Sequence, residues 1–343
     1  MDNFNADKKI NLKIKRIFYN KIIISYLLVL VLFIAGEIFL KGFLAFSHVM
    51  AVLQASFFVG IIALAQTFVV ISGKEDFDLS VGATLTVGVI LGSLILNGKD
   101  SNLLFALLAV LFAGFVFGTI NGLGIAFLGI APLIMTLAMA MVIEGILLFS
   151  TKGFLYGKAS PLLEYIGKDF LKFNIYNYLI KIPWVNIIWL LLIIISVIVL
   201  NRSTVGYVIK GMGTNVKAAE LLGIRVKIVK TLVYSFSGMI SSFMGLLLLG
   251  YVGTPNISLG LGHKINYPML SIVAVVIGGI GGGQGSYIGA VAGSIFIVTL
   301  NSILTTLGFD DGSRMAITGV ILLILLMVYT RRKTNGGKII KKI

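Results

Sequence analysis

The sequence has no cysteine among its 343 residues, which excludes disulfides and cysteine-based metal sites. Histidine is nearly as scarce. His48 and His263 lie far apart and without acidic companions, so no metal-ligand pattern is present. Charge is the third shortage: 12% of residues are charged, 13 acids and 28 bases, where a soluble domain carries about 25%. So few charges cannot cover the polar surface that a soluble chain of this length needs. A cytosolic enzyme, a secreted domain and a disordered chain are excluded together. With 58% hydrophobic residues, the composition is that of an integral membrane protein.

Motifs of chemistry are missing too. Gly153-Phe154-Leu155-Tyr156-Gly157-Lys158 has the wrong spacing for a phosphate-binding loop. The glycine-rich run at 278–285 does not fit G-x-G-x-x-G and follows a membrane span rather than a strand. HExxH and GxSxG are absent. No enzyme and no cofactor is expected, and any transport work must draw on a partner or an ion gradient.

What is present is apolar sequence in lengths of about 20 residues, the span of a bilayer-crossing helix. Ten such stretches are predicted, at roughly 22–40, 49–71, 79–97, 103–122, 131–149, 183–200, 231–252, 269–283, 284–306 and 315–330. The eighth is short and glycine-rich at its end, so it is either a span or a broken, re-entrant element. Basic residues orient the set. With the N-terminus inside, alternation places 19 of the 28 bases on the cytoplasmic side, giving an N-in, C-in topology. This topology has cytoplasmic basic tails at 1–21 and 331–343, an external loop at 150–182 and a cytoplasmic segment at 201–230. Residues 1–343 then form one transmembrane domain, an all-α polytopic membrane protein. The excess of base reads as topology and contact with anionic membrane lipid, not as nucleic-acid binding.

Within 201–230, Asn215 is placed to cap a short helix and Gly223 to end it. That helix would present Ala218, Ala219 and Leu222 on the inner membrane face. Forty glycines include two GxxxGxxxG ladders, Gly114-Gly118-Gly122 and Gly285-Gly289-Gly293, offset by 171 residues. They read either as an inverted internal repeat of spans 2–5 and 7–10, a recurring transporter design, or as two independent packing faces. Intramembrane acids are Glu37 and Glu144. A carboxylate at mid-bilayer costs about 2.5–3.5 kcal/mol on insertion scales, so both are candidates for gradient coupling or for structural roles. Uncharged polar residues in the spans, Gln66, Asn121, Thr136 and Asn301 among them, suit either a path for a hydroxylated solute or interhelical bonding. Asp78 and Ser80 can cap the third span.

The run Asp78-Leu79-Ser80-Val81-Gly82 resembles the G-G-I-D-L-S-V-G signature of the ribose-type permeases of ATP-binding-cassette importers. Further blocks follow in that family's order. Asn121-Gly122 leads to Ala131-Pro132-Leu133-Ile134-Met135-Thr136-Leu137, and Thr151-Lys152-Gly153 comes next. Gly213-x-Asn215-x-x-Ala218-Ala219-x-x-x-Gly223-Ile224, Tyr234-x-x-Ser237-Gly238, Gly278-Gly279, Gly282-Gly283-x-Gly285 and Asn301 complete the series. The stretch before Asp78 departs from the pattern, reading Ser72-Gly73-Lys74-Glu75-Asp76-Phe77.

The resemblance implies a permease subunit in a bacterial cytoplasmic (inner) membrane. Two such subunits form the pathway of a sugar importer, an external binding protein delivers the solute, and cytoplasmic ATPases, often two cassettes in one chain, supply energy. It also implies that the helix with Asn215, Ala218, Ala219, Gly223 and Ile224 docks on the ATPase. A gradient-coupled carrier using Glu144 or Glu37, and an importer of nucleosides or branched-chain amino acids, are the alternatives.

Overall fold

A computed structural model describes residues 21–175, 178–261, 266–321 and 323–324. The basic tails expected at 1–21 and 331–343 lie outside the described residues, Lys21 apart, as does the latter part of the span expected at 315–330.

Lipid offers the backbone no hydrogen bonds, so apolar chain of this length folds as helix. In order these are α1 (Lys21–Phe39), α2 (Phe46–Ser72), α3 (Val81–Leu96), α4 (Leu103–Ala126), α5 (Pro132–Thr151), α6 (Pro161–Lys168), α7 (Trp184–Arg202), α8 (Thr204–Thr214), α9 (Val216–Leu221), α10 (Val226–Val252), α11 (Ser258–Leu261), α12 (Tyr267–Ile277) and α13 (Tyr287–Thr306). Residues 311–321 are helical as well. Among the described residues seven helices are long and apolar enough to cross a membrane: α1, α2, α4, α5, α7, α10 and α13. The third and eighth predicted spans are shorter, 16 residues in α3 and 11 in α12. A polar turn shortens the first and the glycine run shortens the second.

The core is built on α2, α3 and α10. Every residue from Ser56 to Ser72 of α2 is buried, as is every residue from Val81 to Ile90 of α3. A helix that is apolar all round belongs in the centre of a bundle. By contrast α1, α4, α5 and α7 bury one stripe and turn Leu, Ile and Phe outward. α10 packs on α4, α3 and α2, while α2 also packs on α12 and α13.

Glycine makes the closest contact possible. On α4, Gly114, Gly118 and Gly122 lie against the α10 backbone, where an added Cβ would strike the carbonyls of Gly238 and Tyr234 and, at 2.6 Å, Thr231 Cα. The second ladder is different. Gly293 meets Ala274 of α12 and Gly289 meets Gly278 just after it, and Gly285 precedes α13 altogether, at φ +113° beside Ile280. The two ladders therefore face different partners and are not equivalent positions. The starts of the long helices follow other offsets, 180 residues between α2 and α10 (46 and 226) and 184 between α4 and α13 (103 and 287), against the 171 between ladders.

Residues 150–182 were expected as a loop and instead hold α6 and an antiparallel hairpin, β1 (Phe170–Ile175) with β2 (Tyr178–Pro183). The hairpin is rich in the aromatic and β-branched residues that favour strands. Ser160 caps α6 by accepting from the Leu163 N–H, and Gly167 seats the helix on the backbone of Gly250 and Tyr251 at the end of α10.

Candidate functional site

The break between α2 and α3 is where buried polar groups converge. Gln66, on α2, exchanges two hydrogen bonds with the backbone of Asp78: its Oε1 accepts from the N–H at 3.2 Å and its Nε2 donates to the carbonyl at 2.5 Å. The Asp78 carboxylate is 1% exposed. Its Oδ1 accepts from the Ser80 N–H (2.9 Å) and hydroxyl (2.6 Å), and its Oδ2 accepts from the Ser237 hydroxyl of α10 (2.7 Å). Asn121 Nδ2, on α4, donates to Ser80 Oγ at 2.8 Å, and Thr136 Oγ1, on α5, accepts from the Leu79 N–H at 3.1 Å. Four helices are thus tied to one non-helical segment whose backbone would otherwise be unsatisfied in an apolar interior.

Three of the four polar residues singled out for a pathway, Gln66, Asn121 and Thr136, meet here. Asn301 does not. Its Nδ2 donates to the Ile297 carbonyl of its own helix at 3.0 Å. Capping of α3 also differs from expectation. Neither residue bonds an N–H of α3: Asp78 accepts from the Ser80 N–H in an Asx-type turn just before the helix, and Ser80 makes no side-chain cap bond. The Ser80 hydroxyl is already engaged, donating to Asp78 and accepting from Asn121. Of the remaining signature residues, Val81 is fully buried, and Gly82 lets α3 approach the Gly260 carbonyl and Pro268.

Beside the break, Asp76 pairs with Lys230 of α10 at 3.0 Å and accepts from Ser72 Oγ at 3.3 Å. Burial pushes the Asp76 carboxyl above its usual range, and the Lys230 ammonium opposes that shift. The glycine run then closes the end of α2. The Gly282 and Gly283 N–H groups donate to the Val70 and Ile71 carbonyls at 3.1 and 2.9 Å, two terminal acceptors that the helix itself leaves open. Gly213, at the end of α8, packs on the same spot, where a Cβ would strike the Ile71 carbonyl.

α9 follows directly. Asn215 Oδ1 accepts from the Ala218 N–H at 3.2 Å to start it. Gly223, at φ +81°, ends it: the Gly223 N–H donates to the Glu220 carbonyl and the Ile224 N–H to the Ala219 carbonyl, the Schellman pattern. Ala218 and Leu222 are exposed on this helix. Ala219 is not part of that face. It is 3% exposed and packs inward on Met212 and Val226, with Ile224 alongside. The most exposed apolar residues here are Leu221 and Leu222, 88% and 81% exposed, with Val216 exposed as well.

The two intramembrane acids are separated by their surroundings. Glu37 accepts from the Gly42 and Leu44 N–H groups at 3.1 and 2.7 Å, closing the turn after α1. Glu144 is exposed on α5. Sequence reasoning left Ser237, the Asp76–Lys230 pair and the Trp189–Tyr287–Gly60 chain out of the site. In that chain Trp189 Nε1 donates to Tyr287 Oη at 2.8 Å, and Tyr287 donates to the Gly60 carbonyl at 2.7 Å. Only Ser237 had a signal, its place in the Tyr234-x-x-Ser237-Gly238 block. Among the described residues no group of three or more His, Asp or Glu could hold a metal ion.

A bundle of apolar helices around a polar break, with a short helix projecting from one end, defines a polytopic membrane protein of transporter type. Residues 48–329 match the family model described as branched-chain amino acid transport system / permease component, and the chain belongs to that family. It is 30% identical to the ribose import permease of Bacillus subtilis (strain 168), over 78% of this chain and 80% of that one. It is 29% identical to a fructose import permease of Rhizobium meliloti, over 95% and 90%. With the galactofuranose transporter permease of Escherichia coli (strain K12) the identity is 28%, over 80% and 77%. No solved structure matches the chain.

Proposed function

We propose that this chain is the transmembrane permease subunit of an ATP-driven importer of a sugar or sugar-like solute. It would work as one of two such subunits, with cytoplasmic ATPases and an external binding protein. The observation that carries this is likeness to ribose, fructose and galactofuranose permeases over most of both chains. The residues fit a polar, uncharged solute: the buried network is built of hydroxyls and amides around a carboxylate held by three donors.

The membrane is a bacterial cytoplasmic one, with both termini inside and ten crossings. Support comes from the two ends of the molecule. One gathers Ile71, Gly213, Gly283 and the Asp76–Lys230 pair. The other gathers Gly98 with Lys158 and Ala159 with Gly253. Alternation of ten spans puts the first set inside and the second outside. The short helices α3 and α12 then stand in corresponding places of two inverted halves, α2–α5 and α10 onward. Interrupted spans in corresponding places are the usual mark of a transporter's solute path. Asp78 to Gly82, with Gln66, Asn121 and Thr136, form the joint beside it, and Asn301 has no part in that joint.

In this reading α9 is the ATPase docking helix. Asn215 and Gly223 fix its ends, Ala218 keeps its outer face low, Leu221 and Leu222 fill a groove on the partner, and Ala219 with Ile224 anchors it to α8 and α10. Motion of α9 reaches α2 through Gly213 and the Gly282–Gly283 bonds.

The test is uptake of radiolabelled ribose, fructose and galactofuranose by cells with and without this chain. Loss of uptake of one of them, sensitive to ATP depletion and insensitive to an uncoupler, is expected. Uptake abolished by the uncoupler but not by ATP depletion would overturn this reading in favour of a carrier working through Glu144 or Glu37.

A further inference from the structure

The turn between α2 and α3 is held from one face of α10. Lys230, Tyr234 and Ser237 stand at i, i+4 and i+7, so their side chains line one side of that helix. They meet three consecutive residues of the turn in order. Lys230 Nζ pairs with Asp76 Oδ1 at 3.0 Å, Tyr234 Oη donates to the Phe77 carbonyl at 3.4 Å, and Ser237 Oγ donates to Asp78 Oδ2 at 2.7 Å. The same turn is fastened on its other side to α2. Ser72 Oγ donates to Asp76 Oδ2 at 3.3 Å, and Gln66 exchanges its two bonds with the Asp78 backbone. Residues 76–78 therefore bridge the end of α2 and the start of α10.

One of these ties is ionic, and neither of its charges suits its own helix. Asp76 folds back over the C-terminal end of α2, where Gly73 leaves room: a Cβ there would strike the carboxylate. That end is the negative pole of the helix dipole and disfavours an anion. Lys230 lies near the N-terminal end of α10, the positive pole, which disfavours a cation. Each charge is compensated across the gap by the other. Among the described residues the remaining ion pairs are local, Glu164 with Lys168 and Asp311 with Arg314, so Asp76–Lys230 is the one that joins distant segments. Asp76 is buried, and a buried ion pair adds little net stability over apolar residues but can fix register.

We propose that Lys230, through Asp76, is the positioning residue that fastens the turn at 76–78 to α10, so that movement of α10 reaches the Asp78 joint and the end of α2. The route is separate from the backbone contact at Gly213. Only residues 222–225 lie between α9 and α10, and Ala219 packs on Val226 in the first turn of α10. A push on α9 is thus delivered to the helix that carries Lys230. This rests on the reading of α9 as the docking helix but on no particular solute.

The sequence contains no cysteine, so spin labels can be placed on introduced cysteines without background from this chain. Glu75→Cys, exposed beside Asp76, is paired with Val252→Cys at the far end of α10, about 33 Å away at 1.5 Å per residue, or with Phe39→Cys on α1. Distances by pulsed electron paramagnetic resonance are taken in the complex with its ATPase, nucleotide-free and trapped with ATP and vanadate. Expected are one narrow 75–252 distance, the same in both states, and a 75–39 distance that shifts on trapping. Lys230→Met should broaden the 75–252 distribution and abolish the 75–39 shift while ATP hydrolysis continues. The exchange Asp76→Lys with Lys230→Asp should restore both, since each helix end then carries the charge its dipole favours. Should Lys230→Met fail to fold with Asp76 uncompensated, Asp76→Asn with Lys230→Met removes both charges and carries the same expectation. A 75–252 distance as narrow in these variants as in the unaltered chain would overturn the proposal, because α2 alone would then hold the turn. A 75–39 distance unmoved by nucleotide, with the 75–252 distance still dependent on Lys230, would instead overturn the reading of α9.

Discussion

Asp78 is the residue on which most of the buried polar network depends. Its carboxylate accepts three hydrogen bonds, and its backbone exchanges two more with Gln66, the N–H donating and the carbonyl accepting. Replacing it by Leu leaves the Ser80 N–H and two hydroxyls without an acceptor, and each such buried group costs about 1–3 kcal/mol. Asp78→Asn is gentler. Its Oδ1 still accepts from Ser80, and the Ser237 hydroxyl can rotate to accept from the new amide. We expect Asp78→Leu to lower the thermal midpoint of the purified protein sharply and Asp78→Asn to lower it little. Equal losses for both would mean that the charge, not the hydrogen bonds, holds the break. The sequence made Gln66, Asn121 and Thr136 conspicuous as polar groups in apolar runs, but not their common target. A helix face is readable from spacing, whereas a target residues away in another helix is not. Asn301 shows the limit, since the same residue type in the same setting bonds only to its own helix.

At the scale of elements, long apolar runs were legible and interrupted ones were not. α3 read as a full span because hydropathy counts apolar residues and is blind to where the backbone turns, whereas the glycine run at the end of the eighth stretch left that one open between a span and a broken element. The hairpin at 170–183 was missed for the opposite reason: strand-forming residues in a polar stretch carry a weak signal. α9 was placed from its cap and its glycine, but its outward face was not. A six-residue helix has too few turns for periodicity to separate Ala219 from Leu221, and its packing on Met212 and Val226 decides. The mutational consequence is specific. Ala219→Asp buries a carboxylate and should reduce the amount of folded protein. Leu221→Asp with Leu222→Asp should leave folding intact and abolish ATP-driven uptake, since two leucines 88% and 81% exposed add little to this chain's own core. Uptake that survives the double leucine change would remove α9 as the docking element, and membrane levels measured in parallel separate the two effects.

For the whole molecule the decisive question is whether α3 and α12 cross. Sixteen residues of helix rise about 24 Å, short of the ~30 Å hydrocarbon core. The polar stretch 73–80 supplies the missing length only if α3 continues through to the far side. The contacts that surround it favour crossing. Asp76 at one end pairs with Lys230, near the start of α10, whereas Gly98 at the other bonds to Lys158, far from any residue of α8 or α9. α2 and α10 are equal in length, 27 residues each, and each packs on one short helix: α2 on α12 and α10 on α3. Each short helix thus lies against a long helix that is distant from it in sequence. Accessibility across the membrane tests it. Glu75→Cys and Gln284→Cys should react with an impermeant maleimide only from the cytoplasmic side, and Ser101→Cys and Lys158→Cys only from outside. If Glu75→Cys and Ser101→Cys react from the same side, α3 is re-entrant, the number of crossings falls, and everything beyond it changes sides. The positive charges of 201–230 would then lie outside, against the rule that sets orientation, and α9 could not meet an ATPase.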